Sequence, residues 1–220
     1  MIAFTRRFTM GNKRKDVQLG FTEEPFPAHC HVCLIYDSQE QRQKIVSEYM
    51  AAGLRKGELV RYLTDTTATE QVHSWLLEMG VEIPAAEASG AFTIIRAEDG
   101  YCPGGRFEPR EMIDKMVPRF EMAKKAGFSG TRSCGEMSWA LRGIPGSNRL
   151  LEYEALLNSV TDPYPHTGMC QYDAHLFDGA TLLKVLKVHP YMIAKGQIVR
   201  NPFYLRTEEF LERLDPEKQI

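Results

Sequence analysis

The chain has 220 residues, 43% hydrophobic and 25% charged, enough for one sizeable domain with its own core. Its formal net charge of −2 excludes a global basic field for nucleic acid or acidic lipid. Apolar runs fall short of the roughly 20 residues of a membrane span, and Met1–Phe4 is too short for the apolar part of a signal peptide, so a cytoplasmic protein is expected.

Residues 1–28 show no period and contain Gly11, Gly20, Pro25 and Pro27, which predicts an irregular arm. Its basic clusters, Arg6-Arg7 and Lys13-Arg14-Lys15, read as a solvated tail. Cys33–Tyr36, preceded by His31 and Val32, predicts a buried strand. Asp37 and Ser38 then predict a helix cap, and Gly53 the end of that helix. Glu58–Thr64 is the second predicted strand. A helix carrying Val72, Trp75, Leu76 and Met79 follows, stopped by Gly80. After a short helix over Pro84–Ala88, Ala91–Ile95 is the third strand.

Glu98–Phe107 reads as a long glycine-rich loop suited to binding. Pro109 opens a helix through Ala123, with a kink or break possible at Pro118. Thr131–Cys134 predicts a central strand, ending where Glu136, Ser138 and Trp139 turn towards a helix. A helix around Leu150–Leu157, a loop over Asp162–His166, a strand over Thr167–Tyr172 and a helix ending at His189-Pro190 come next. Tyr191–Ala194 and Gln197–Val199 flank Lys195-Gly196 as a hairpin, and Glu208–Leu214 is a last short helix. Strand and helix alternate about five times, so the expected class is α/β: a mostly parallel sheet with helices on both faces and a C-terminal antiparallel hairpin. The expected division is an arm over 1–28, a domain over 29–205 and a helix and tail over 206–220.

No phosphate-cradling loop follows a strand: Tyr36–Gln41 has no glycine and no lysine, and its acids would repel phosphate. Gly-x-Ser-x-Gly is absent, so Ser138 forms no nucleophile elbow. Cys170 with His175 or His189 is a conceivable thiol–imidazole pair, though a buried thiol is the simpler reading. His29, Cys30, His31 and Cys33 offer four donors in five residues. In a strand, His29, His31 and Cys33 point one way and Cys30 the other. Cys134 and Cys170 are candidate later partners for such a site, with zinc or another transition metal as the implied ion. The odd count and scatter of the cysteines, with Cys102 the fifth, fit reduced thiols better than a disulfide framework.

Four strand ends offer Tyr36/Asp37, Asp65, Glu136/Trp139 and Tyr172/Asp173, and the glycine-rich loop adds Tyr101 and Arg106. Open parallel sheets bind ligands beyond the carboxyl ends of their strands, and aromatics with a few polar groups are the usual lining of a small-molecule site. The expectation is a ligand pocket at that rim.

Seven motifs carry a family resemblance. They are His31-Val-Cys-Leu-Ile-Tyr-Asp37, Gly53-Leu-x-x-Gly-Glu58, Gly100-Tyr-x-x-Gly-Gly-Arg-Phe107, Gly135-Glu-Met-Ser-Trp139, Leu151-Glu-Tyr-Glu154, Cys170-Gln-Tyr-Asp173, and His189-Pro190 with Asn201-Pro202. In this order they resemble the methanogen/methylotroph DcmR sensory domains, called MEDS, over roughly residues 20–205. The resemblance implies a RecA/KaiC-like fold without a working phosphate loop. It also implies sensing of small molecules, such as halogenated or methylated one-carbon compounds and other hydrocarbon derivatives. Positions carried over by motif are His31, Tyr36, Tyr101, Arg106, Glu136, Trp139, Tyr153, Glu154, Cys170, Tyr172 and His189. Members often carry a DNA-binding, PAS or kinase module, for which this chain leaves no room, so a separate signalling protein is the expected partner. No cofactor is expected in the main reading, and a homo-oligomer is compatible with it. Two alternatives stand beside it: a metal- or redox-responsive domain on His29–Cys33, and an enzyme with a degenerate nucleotide site.

Overall fold

The computed structural model describes residues 16–23, 26–27, 29–161 and 164–214. The basic clusters of the arm lie outside these residues. The described part of the arm pairs two short antiparallel strands, β1 (Asp16–Val17) and β2 (Phe26–Pro27).

The elements then alternate. They run β3 (His31–Tyr36), α1 (Gln39–Arg55), β4 (Leu59–Thr64), α2 (Thr69–Glu78), α3 (Ile83–Ala88), β5 (Phe92–Arg96) and α4 (Ala97–Tyr101). Next come α5 (Pro109–Asp114), α6 (Met116–Lys125), β6 (Thr131–Glu136), α7 (Leu150–Thr161), β7 (His166–Asp173) and α8 (Gly179–Val188). The chain closes with β8 (Tyr191–Ala194), β9 (Gln197–Arg200) and α9 (Thr207–Glu212). The sheet order is β5-β4-β6-β7-β3-β8-β9. All neighbours are parallel except β8 and β9, whose antiparallel hairpin turns through Lys195 and Gly196, both at positive φ. The α/β class with a C-terminal hairpin is therefore as the alternation requires.

The central strands β3 and β7 are buried on both faces, as parallel strands covered by helices must be. Strand alternation sorts the core into two layers. Val32, Leu34, Tyr62, Cys134 and Met169 face α1 and α2. Cys33, Cys170 and Tyr172 face the helices from α4 to α9.

Three local expectations change. Gly53 does not end α1, which runs on to Arg55; it is the position where Arg132 crosses the helix. The stretch from Glu98 is not all loop, because Ala97–Tyr101 forms α4. The long helix breaks at Lys115, three residues before Pro118. Pro118 then sits in the first turn of α6, where its missing N–H costs nothing.

Candidate functional site

Three constructions lie along the sheet. The first is at the carboxyl rim on the α1 side. Glu136 ends β6 and is almost fully buried. Its Oε1 accepts from Tyr62 Oη at 2.7 Å and Arg42 Nη2 at 2.8 Å. Its Oε2 accepts from the backbone N–H of Asp65, Thr66 and Thr67 at 3.0, 2.6 and 3.3 Å, and from Thr66 Oγ1 at 2.9 Å. Burial alone would raise this carboxyl, but Arg42 and these donors outweigh it and hold the value at about 2. Arg42 also binds Gln171 Oε1 at 2.7 Å and Thr67 Oγ1 at 2.9 Å, and lies over the rings of Tyr36 and Trp75. The rim therefore has its own internal anion in a nest of backbone donors. After β3, Ser38 Oγ caps α1 by accepting from Gln41 N, and a small polar hollow of about 240 Å³ opens between the first turn of α1 and Thr66, Thr67 and Trp75.

The second construction lies on the opposite face, under α7 and α8. Glu154 is fully buried, and no lysine or arginine pairs with it among the described residues. Its Oε2 stands 2.9 Å from His31 Nε2, 3.5 Å from His189 Nε2 and 3.4 Å from Cys170 Sγ; its Oε1 accepts from Tyr172 Oη at 2.8 Å. His31 Nε2 is 3.3 Å from Cys170 Sγ, and the four donor atoms all lie within 4.8 Å of one another. The far nitrogens fix the tautomers. His189 Nδ1 meets Val185 O at 2.9 Å, so it must donate. His31 Nδ1 meets Asn158 Oδ1 at 3.0 Å, while the Asn158 amide donates to Glu154 O and Val188 O, so this oxygen accepts. Both Nε2 atoms thus converge on the carboxylate, as lone pairs where the ring is neutral and as donors where it is protonated, and His189 Nε2 has no hydrogen-bond partner.

Such a cluster is of a kind that can hold a cation. Burial would raise Glu154, and hydrogen bonds and positive charge from His189 and His31 outweigh it and lower the carboxyl. Burial, with His189 next, lowers His31. Burial, with Glu154 next, keeps Cys170 a thiol well above its usual value. A thiol in that state is no nucleophile. A tetrahedral zinc with bonds of about 2.0–2.3 Å separates its ligands by roughly 3.3–3.6 Å. Three separations, 3.3, 3.4 and 3.5 Å, fall there, while His31 Nε2 and Glu154 Oε2 stand closer, at 2.9 Å, and would have to part to admit an ion. Two imidazoles, a thiolate and a carboxylate are a donor set that zinc and its neighbours accept, and Asn158 and Val185 orient the imidazoles as outer partners do.

The third construction is a cavity of about 580 Å³ between the sheet and α5–α6. Leu59 and Leu63 of β4, Ile95, Met112, Met116 and Phe120 form its apolar wall, and Tyr101 and Tyr153 reach it as well.

The sequence-derived candidates distribute over these places as follows. Tyr36 lies on the α1 side beneath Arg42, whereas Trp139 and Tyr172 are on the other face, so no single hollow joins them. Trp139 is solidly packed, stacked on Tyr101 at 5.0 Å and tilted against Phe107 at 4.7 Å. Gly135 permits this: a Cβ there would collide with Tyr101 Oη. Arg106 is exposed and pairs with Glu111. His31, His189 and Tyr172 do come together, around Glu154.

The group His29–Cys33 is not one site. His29 precedes the strand at φ 70°, with Nδ1 near Thr161 O, while Cys30 and Cys33 pack into opposite core layers. Only His31 joins a metal-type cluster, whose other members are Glu154, Cys170 and His189. His175 lies exposed against Asp173 and away from Cys170's partners. Glu58 and Arg132, buried at the other end of the sheet, were not singled out from sequence; Gly53 was the available signal, because an interior helix glycine often marks a close crossing.

The family model of the MEthanogen/methylotroph, DcmR Sensory domain (MEDS) matches residues 30–190. The transcriptional repressor DcmR of Methylorubrum extorquens is 25% identical over 162 residues, which cover 73% of this chain and 58% of the repressor. Among solved structures, a KaiC-like protein of Pyrococcus horikoshii superposes with a TM-score of 0.57 at 14% identity, covering 82% of this chain and 80% of that one. A second Pyrococcus horikoshii protein, uncharacterised and solved with an unknown peptide, gives 0.57 at 16% identity, covering 84% and 91%. The flagellar accessory protein FlaH of Methanocaldococcus jannaschii gives 0.53 at 9% identity, covering 84% of each chain. At these identities the structural likeness is one of fold. No helix of the described residues is long and apolar enough to cross a membrane.

Proposed function

The chain belongs to the MEthanogen/methylotroph, DcmR Sensory domain family, and from that premise we propose that it senses a small, apolar-bodied molecule held in the cavity beside α5 and α6. The role is sensory and regulatory, in line with the family and with the repressor it resembles. The observation that carries the ligand reading is the cavity itself. Its volume is in the range of small-molecule sites, and its wall is leucine, isoleucine, methionine and phenylalanine. The strand rim, by contrast, has its donors taken by the protein's own carboxylate and leaves only a smaller polar hollow of about 240 Å³. Occupancy favours one arrangement of α5–α7 over another, and a separate output protein reads the difference.

NMR of 13C-methyl methionine tests this with toluene and 1-hexanol as probes. Met112 and Met116 line the cavity, while Met50 is buried in the other core layer. Shifts at the first two and not the third are expected, and Met116→Trp should abolish them. Probes that leave Met112 and Met116 unmoved at saturation would remove the cavity as the ligand site.

A second reading concerns the cluster, favoured by the two imidazole Nε2 atoms that converge with the Cys170 thiol on Glu154. His31, Glu154, Cys170 and His189 would hold a divalent transition metal, with Cys170 as thiolate. The metal would supply a fixed positive charge at the core of the domain and tie β3, β7, α7 and the end of α8 together. The two readings are compatible, because Tyr153 lines the cavity and Glu154 is its neighbour on α7.

A further inference from the structure

The cavity wall contains a violation of its own pattern. The face of β4 towards α5 and α6 carries Leu59, Arg61 and Leu63, so an arginine stands between two leucines on an inner sheet face. Arg61 is half-buried. Its Nε is buried without a hydrogen-bond partner, and neither Arg61 nor Arg119 has an ion pair or hydrogen bond among the described residues. Arg119, from α6, lines the same cavity and is the charge that acts on Arg61. Two like charges therefore share one apolar hollow.

No aspartate or glutamate lines this cavity. The other basic members, Lys125, Arg132 and His166, differ from this pair: Lys125 is exposed to water. Arg132 is committed to Glu58 at 2.5 Å, and His166 is held by Thr131 and Ser133. A guanidinium partly removed from water without a counter-charge is costly in proportion to its burial, and the half-buried Arg61, with its Nε shut off from water, bears that cost beside a second, half-buried cation. Elsewhere this protein neutralises such groups internally: Arg42 has Glu136 and Arg132 has Glu58. At Arg61 and Arg119 the missing component is an anion, and the hollow beside them has room for one attached to an apolar body.

Building on the cavity reading, we infer that the ligand is a small organic acid, its carboxylate held between Arg61 and Arg119 and its hydrocarbon part against Met112, Met116 and Phe120. A guanidinium is the side chain best suited to this, since its planar fork matches the two carboxylate oxygens. The head group would then decide affinity among molecules of similar shape. A site of this kind rejects the analogue that leaves its buried donors unpaired.

Hexanoate and 1-hexanol are the matched probes, titrated against the full chain with the methionine methyl signals as readout. Hexanoate should bind at least about tenfold tighter than hexanol, and this preference should shrink as salt is raised. Arg61→Gln and Arg119→Gln should each lower hexanoate affinity about tenfold and leave hexanol affinity within a factor of about two. Arg119 lies on the half-exposed side of α6, so its variant keeps the test available if Arg61→Gln folds poorly. Hexanol binding as tightly as hexanoate, or hexanoate binding unchanged in both variants, overturns the organic-acid assignment while leaving the cavity reading intact. Binding of neither probe overturns both.

Discussion

Arg42 Nη2 lies 2.8 Å from Glu136 Oε1, and both side chains are 3% exposed, so two elements far apart in sequence are joined by one desolvated ion pair. Removing one partner leaves the other charged and buried, which costs about 3–5 kcal/mol, whereas removing both costs less than the sum. Glu136→Gln and Arg42→Met should each lower unfolding free energy by about that amount. The double variant should recover part of it in urea denaturation. Additive losses would show that the pair is not coupled.

The same pair sets an acid limit. Glu136 is depressed from about 4.5 to about 2 in the fold. Its contribution is therefore fully present above the unfolded value and is lost as pH falls from about 4.5 towards 2. Wild-type stability should decline through that window more steeply than that of the double variant, read by denaturant titrations at each pH. Parallel declines would contradict the assignment.

Gly53→Ala should destabilise the protein, against helix propensity. Alanine in a helix interior gains about 1 kcal/mol over glycine. A Cβ at this position, however, would stand 2.7 Å from Arg132 Nε and 2.8 Å from its Cδ. Arg132 cannot retreat freely, because Glu58, Tyr49 O and Gln18 O hold it. Overpacking of about 1–3 kcal/mol outweighs the propensity gain. A variant as stable as wild type would mean that the crossing is looser than described.

Cobalt reports on the Glu154 cluster without any need for activity. With one thiolate and two imidazoles it should give tetrahedral visible bands and a thiolate charge-transfer band. At about 100 times its dissociation constant it should add about 2.7 kcal/mol of stability. Cys170→Ser should remove the charge-transfer band, and His189→Ala should weaken binding. Full cobalt affinity in Glu154→Gln and His189→Ala would sink the site.

Trp139→Ala should cost about 3–5 kcal/mol, as removal of a packed indole does. The ring is fully buried between Tyr101 and Phe107. Unchanged stability combined with lost hexanol binding would make Trp139 a ligand contact.

The class of the sheet was legible because β3 and β7 are apolar runs, strands and helices alternate along the chain, and Ser38 caps α1 as its place after β3 requires. Glu136 was legible as a rim residue, since it ends a strand. Its purpose was not, because its partners come from α1, β4 and the turn after β4, which no local pattern connects. His29–Cys33 looked like a ligand group by spacing alone, yet a strand sends neighbours to opposite faces. The true companions of His31 are 123 to 158 positions away in sequence, as the numbers of Glu154 and His189 give by subtraction. Arg61 was hidden inside an otherwise ordinary strand; the signal was its place between Leu59 and Leu63.

Consecutive residues of an α-helix diverge by about 100° around its axis. On α7 that angle separates Tyr153, facing the hollow, from Glu154, facing the imidazoles. A turn of this segment that widens one compartment must swing the carboxylate of the other, so a guest in the first and an ion in the second would each feel whether its neighbour is at home.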